Sequence, residues 1–220
     1  ASGLVEVGAP VGAFLGRDVR GSMALTDRVP PYVRRLLGPL LSLRTRHARS
    51  TLRRKLAPYR QEPHPASSAV HIAYLANSPV PSKAANVVHV MKMCNAFANN
   101  GYQITLLAER AQEFHAGEPT RLFDEYGVAG FELCLLERKS GMLKLEIERV
   151  REALQRGATH FFGRSLFGSY GAAIAGKPSL LERHLPLKGG ELAIATDLFQ
   201  QPSFRGLIVI SRALAQWYER

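Results

Sequence analysis

From Val70 onward, short and nearly continuous apolar runs alternate with segments whose apolar residues recur at helical spacing. "VHIAYLAN" (70–77) is followed by a helical pattern over about 84–99 and "YQITLLAE" (102–109) by a weaker one near 117–126. "FELCLLER" (131–138) precedes "MLKLEIERVREALQRG" (142–157), and "THFFGR" (159–164) leads into "SLFGSYGAAIAG" (165–176). "PSLLERH" (178–184) precedes a helix opening near Gly190, and "GLIVIS" (206–211) runs into "RALAQWYER" (212–220). Runs apolar on both faces belong to strands covered on both sides, and only right-handed helical crossovers join parallel neighbours. The pattern predicts an α/β class: a doubly wound, Rossmann-like parallel sheet of six strands in the order 3-2-1-4-5-6.

Helix punctuation agrees with this division. Asn100-Gly101, Gly157 and Gly176 before Pro178 stand where C-terminal caps are expected, and Ser211 after "LIVI" is placed to cap the last helix. The Pro- and Ser-rich stretch "QEPHPASSA" (61–69) reads as a linker. Two regions are therefore expected: a basic extension with its linker over 1–68, and a Rossmann-like domain over 69–220.

The 220-residue chain is 46% hydrophobic, enough for a sizeable core, and carries a net charge of +11 that is unevenly placed. Residues 1–70 hold 12 Lys/Arg against 4 Asp/Glu, a net +8, which leaves +3 for the rest. No acid occurs between Asp27 and Glu62, while arginines from Arg34 to Arg60 alternate with leucines from Leu36 to Leu56. Three readings fit such a segment. It is a solvated leader, or residues 31–60 lie on an anionic membrane with leucines down and arginines at the headgroups, or they bind nucleic-acid phosphates. Tyr32 and Tyr59 are its only aromatics, which disfavours stacking on bases, so nucleic acid is not expected as a partner. No stretch approaches the ~20 apolar residues of a membrane span, and "ASGLVEVGAPVGAFLGR" with Glu6 is a poor signal peptide. A cytoplasmic protein is expected, peripheral on the inner membrane face if the basic segment binds lipid. Cys94 and Cys134 lie in apolar segments without a CxxC spacing, as two buried thiols of a reducing compartment would.

In an open parallel sheet, ligands bind beyond the carboxyl ends of the strands where strand order reverses, here between the first and fourth strands. The loops that matter are "SPVPSKAAN" after the first strand, "GRS" (163–165) after the fourth and "ERHLPLKGGE" after the fifth. The usual occupant, a dinucleotide, needs a glycine-rich first turn so that the backbone can reach its pyrophosphate. The first β-α turn has no glycine, and the glycines of "GSYGAAIAG" are spaced for close helix packing, so an NAD-dependent oxidoreductase is not expected. In place of glycines stand stiffening prolines, the hydroxyl of Ser82 and the cation of Lys83. These suit a polyhydroxylated or anionic group that is exchanged rather than wrapped.

"IAYLANSPVPSKAANVVHVMKMCNAFANNGYQITLLAER" (72–110) resembles the opening β-α-β unit of family 4 glycosyltransferases of the GT-B fold, in particular a subgroup whose first loop reads Pro-Ser-x-Lys-Ala or close to it. "HFFGRSLFGSYGAAIAGKPSLLERH" (160–184) is similar to the family's fourth and fifth strands, and "RGLIVISRALAQWY" (205–218) to the segment closing its N-terminal domain. The resemblance covers residues 70–220. It implies the acceptor-side half of a two-domain enzyme that moves a sugar from a UDP- or GDP-type donor, with retention, to the hydroxyl of a glycan or lipid-linked acceptor. No cofactor or bound metal is implied, the nucleotide sugar being a co-substrate. The donor-binding half, a C-terminal domain or a separate subunit, is implied as a partner, and the 220-residue chain by itself is expected not to turn over nucleotide sugars. By position, His184 matches a histidine that points toward the transferred sugar and carries the catalytic expectation. Arg164 and Ser165 match the acceptor side, and Ser82 and Lys83 the first loop, where many members have paired glycines instead.

Other polar residues attract less. His89 on the first helix reads as packed or solvated, and Glu182, Glu191 and Asp197 are too scattered for a glycosidase carboxylate pair. The competing function class is a non-catalytic sugar-binding or scaffold module with the same fold.

Overall fold

The computed structural model describes residues 31–60, 69–112, 119–138 and 141–219. The expectations for residues 1–30 and nearly all of the 61–69 linker fall outside the described residues. A long helix α1 (Pro31–Leu56) with a 3-10 turn (Ala57–Tyr59) precedes the alternating elements. These are β1 (His71–Val80), α2 (Ala85–Asn99), β2 (Gln103–Arg110), α3 (Pro119–Tyr126), β3 (Glu132–Leu136), α4 (Met142–Gln155), β4 (His160–Gly163), α5 (Leu166–Ile174), β5 (Ser179–Arg183), α6 (Gly190–Phe199), β6 (Phe204–Val209) and α7 (Arg212–Tyr218). The strands form one six-stranded sheet, β3-β2-β1-β4-β5-β6, and every pairing in it is parallel. This is the Rossmann-like doubly wound order that the alternation predicts.

Each face of the sheet has its own core. One gathers Ile72, Tyr74, Val90, Met91, Cys94, Leu106 and Phe162 beneath α2 and α3. The other gathers Ala73, Leu75, Phe161, Tyr170 and Leu181 with residues of α4, α5 and α6. Because side chains alternate along a strand, Tyr74 and Phe162 share the α2 face while their neighbours Leu75 and Phe161 point the opposite way. Both cysteines are free and buried, as expected. Glycines in the left-handed region close α2 and α4 at Gly101 and Gly157, and Ser211 accepts the Leu214 N–H at 3.2 Å to cap α7.

Two differences from the sequence pattern have physical causes. β1 runs three residues further than its apolar run: after an irregularity between Leu75 and Pro79, Pro79 and Val80 pair with Glu109 and Arg110, so the first third of the expected loop is strand. The described half of the basic extension is no independent leader. Leu52 and Leu56 are fully buried against the α4/α5/α6 core, each contributing about 1.5–3 kcal/mol. A Cβ on Gly171 of α5 would stand 2.6 Å from the Leu56 Cδ1, so the small-residue helix is small in order to admit α1. Arg49 and Arg53 pair with Asp197 of α6, and Arg151 Nε donates to the Tyr59 hydroxyl at 2.9 Å. Leucines assigned to a lipid surface in the membrane reading are, at 52 and 56, committed to the protein core. Arg46, Arg53, Arg54, Lys55 and Leu43 remain exposed.

Candidate functional site

The carboxyl ends of β1, β4 and β5 meet at the reversal of strand order. On β5 the alternation places Leu180 and Glu182 on the α2 face, and His184 follows one residue beyond the strand end. α2 begins at Ala85 and carries His89 one turn in, facing the same carboxylate. Glu182 Oε1 lies 3.1 Å from His89 Nε2 and is in contact with His184 Nε2 as well. Tyr74 of β1 donates its hydroxyl to Glu182 Oε2 at 3.2 Å. The two imidazoles stand edge to face, 5.6 Å between centroids. Three residues, from β1, α2 and the loop after β5, thus converge on one carboxyl group of β5.

Glu182 is the buried centre of this cluster. Its side chain is 5% exposed, against 40% for His89 and 25% for His184. Among the described residues its partners are Tyr74, His89 and His184, with no lysine or arginine at ion-pair distance. Burial, followed by the charge of Glu182, pushes the Tyr74 phenol above its ordinary range and keeps it a donor, with the Arg164 cation opposing the rise. Each histidine turns its Nε2 to Glu182, which leaves each Nδ1 outside that contact. The cluster offers imidazoles beside a carboxylate at a partly open edge, a lining able to orient hydroxyl groups.

Of the residues singled out from sequence, His184 lies in the cluster. Arg164 follows β4 between β1 and β5. Its backbone N–H donates to Leu75 O at 3.0 Å, it is half-buried, and its Nη1 is buried without a hydrogen-bond partner among the described residues. Ser165 stands apart from the cluster: its Oγ accepts the Gly168 N–H at 3.0 Å as the cap of α5, and its hydroxyl lies against Glu146 of α4, on the other side of the sheet. Ser82 is engaged locally. Its backbone N–H and carbonyl are both held by the Tyr126 hydroxyl, at 2.8 and 2.6 Å, and its Oγ accepts the Ala84 N–H at 3.2 Å. Lys83 is exposed in the same loop and takes no part in the cluster's contacts.

Sequence reasoning passed over Tyr74, His89 and Glu182. The signal for Glu182 was present in the Glu-x-His spacing, since period two puts both residues of a strand end on one face. Nothing in the sequence indicated that His89, 93 positions away, would meet the same oxygen. Two shallow depressions lie elsewhere, one lined by Leu136, Glu148, Arg151, Glu152 and Gln155, the other by Arg46, Arg49, Ser50 and Arg53. Neither brings together groups with comparable chemistry. Among the described residues no helix is long and apolar enough to cross a membrane. Comparison with protein-family models, with curated proteins and with solved structures gives no match to this chain.

Proposed function

We propose that residues 69–219 are the acceptor-side domain of a retaining glycosyltransferase of the GT-B type, using a nucleotide-sugar donor held by a second Rossmann-like domain or partner subunit. The observation that carries this reading is the convergence of His184, Glu182, Tyr74 and His89 at the point where strand order reverses, with Arg164 and its unpartnered Nη1 at the adjoining end of β4. Glu182 fixes the His184 ring, leaving a neutral imidazole face to accept from a sugar hydroxyl and hold it near the reacting carbon. The Arg164 guanidinium supplies a fork for a phosphate or sugar oxygen of the acceptor. Lys83, exposed at the neighbouring loop, adds a cation for an anionic acceptor such as a lipid-linked glycan. The exposed arginines of α1 suit a place at an anionic membrane surface, through charge alone over the described half.

The test is transfer from UDP- and GDP-sugars to a panel of glycan and lipid-linked acceptors by this chain joined to, or mixed with, its donor-binding half. His184→Ala is expected to lower kcat/KM about 100-fold through loss of positioning, and Arg164→Ala to act mainly on the acceptor KM. Full transfer activity in His184→Ala, or acceptor binding by a surface that neither variant touches, refutes the reading. Flotation with anionic liposomes tests the membrane part: loss of binding in a variant with Arg46, Arg54 and Lys55 replaced by Ser is expected, and no flotation of the unaltered chain at physiological salt ends it.

A further inference from the structure

The structure points to a metal site: we propose that His89, Glu182 and His184 together bind one divalent transition-metal ion of the zinc class. The inference does not depend on glycosyl transfer and departs from the metal-free expectation that the family resemblance carries.

The primary reason is electrostatic. A carboxylate 5% exposed needs a cation or several strong donors to remain charged, because burying an unpaired charge costs far more than a hydrogen bond returns. The other buried carboxylates among the described residues have an arginine: Glu146 has Arg149 at 2.8 Å, Glu109 has Arg138 at 3.0 Å and Asp197 has Arg49. Glu182 has two imidazoles and a phenol. An imidazole is neutral in its commonest form and is the most frequent metal ligand among side chains.

Geometry supplies the second reason. One donor atom each from His89, Glu182 and His184 lies within 4.8 Å of the others. Ligands on a tetrahedral ion at about 2.0–2.1 Å stand roughly 3.3 Å from one another, close to the 3.1 Å between His89 and Glu182. His184 Nε2 is in contact with the same Oε1, and its ring is partly exposed. The ion would bind each neutral imidazole through an unprotonated Nε2, the ring hydrogen residing on Nδ1. Tyr74, donating to Glu182 Oε2 at 3.2 Å, holds the carboxylate in the orientation that turns Oε1 toward the two histidines.

Ligand chemistry sets the choice of ion. Two imidazoles and one carboxylate suit Zn2+, Co2+ or Ni2+ and discriminate against Mg2+ and Ca2+, which take oxygen donors. Three protein ligands leave a fourth position, and the exposed sides of His89 and His184 place it toward solvent, where a water or a ligand oxygen completes the shell.

The experiment titrates the untagged, chelator-stripped chain with ZnCl2 by calorimetry and with CoCl2 by visible absorption. One equivalent of Zn2+ is expected to bind, with a Co2+ spectrum of tetrahedral intensity. His89→Ala and His184→Ala should each weaken binding more than 100-fold and abolish the spectrum, and Tyr74→Phe should weaken it about 10-fold. His160→Ala, a histidine outside the cluster, should bind as the unaltered chain does. Thermal unfolding without metal reports whether each variant folds, and the rise in melting temperature on adding Zn2+ should vanish only in the ligand variants. Failure of the stripped chain to bind Zn2+, binding by His89→Ala or His184→Ala as tight as that of the unaltered chain, or a preference for Mg2+ would each overturn the proposal.

Discussion

Two buried polar clusters lie near the carboxyl edge of the sheet, one on each face, and they solve the problem of a buried carboxylate differently. On the α4 face, Glu146 and Arg149 are 2% and 1% exposed, and Arg149 Nη1 donates to Glu146 Oε1 at 2.8 Å and to Ala76 O at 2.7 Å. Burial pushes the Glu146 carboxyl up and the Arg149 guanidinium down, and each partner's charge opposes the shift of the other. A permanent cation anchors helix α4 to the end of β1. On the α2 face, Glu182 has imidazoles in place of the guanidinium and an edge that is partly open. The first pairs its carboxylate with a permanent cation, although Glu146 Oε2 and Arg149 Nε are buried without a hydrogen-bond partner among the described residues, whereas the second sets its carboxylate among imidazoles, a residue type able to ligate ions or bind hydroxyls.

That contrast predicts where substitutions act. Arg149→Met leaves Glu146 buried without its partner and should cost about 3–5 kcal/mol in urea unfolding. Adding Glu146→Leu to it should recover much of the loss, and a double variant no more stable than Arg149→Met would mean that the pair is not the anchor. Next in size is Leu52→Ala, which should cost about 2–5 kcal/mol by opening a cavity between α1 and α5. A cost near zero would detach α1 from the fold and return its leucines to the membrane reading. Glu182→Gln should cost only about 1 kcal/mol yet eliminate whatever the cluster binds. A stability loss as large as that of Arg149→Met would put both clusters in the structural class.

The smallest effect lies at the opposite edge of the sheet. Burial lowers the pKa of His71 at the start of β1, and burial with the Arg205 and Lys177 charges lowers that of His160 at the start of β4. A histidine depressed in the folded state is protonated first in the unfolded chain, so its contribution to stability is full above the usual value near 6.5 and declines as pH falls below it. Denaturation midpoints should therefore drop between about pH 7 and pH 5, and His71→Gln/His160→Gln should flatten that slope. A slope unchanged in the double variant would assign acid sensitivity to other groups.

Much of the fold was legible because it rests on local periodicity. Apolar runs such as "QITLLAE" and the helical spacing of "MLKLEIERVREALQ" each encode one element, and the handedness of crossovers leaves few ways to order six of them. The site was legible only in part. Topology points to the loops after β1, β4 and β5, and the family resemblance to Arg164 and His184 within them. The family resemblance places Ser165 on the acceptor side with Arg164, but adjacent residues at a strand end point to opposite faces, and Ser165 serves as the cap of α5.

The linear order of residues determined by itself the class of the molecule, the number and order of its strands, the caps of several helices and the basic character of α1, since each depends on neighbours within a turn or on a rule of chain connection. Only the tertiary structure decided which carboxylate receives an arginine and which receives two histidines, and that Leu52 and Leu56 belong to a protein core. Those choices are made between residues as far apart as His89 and Glu182, where no period in the sequence extends and packing alone brings one side chain to another.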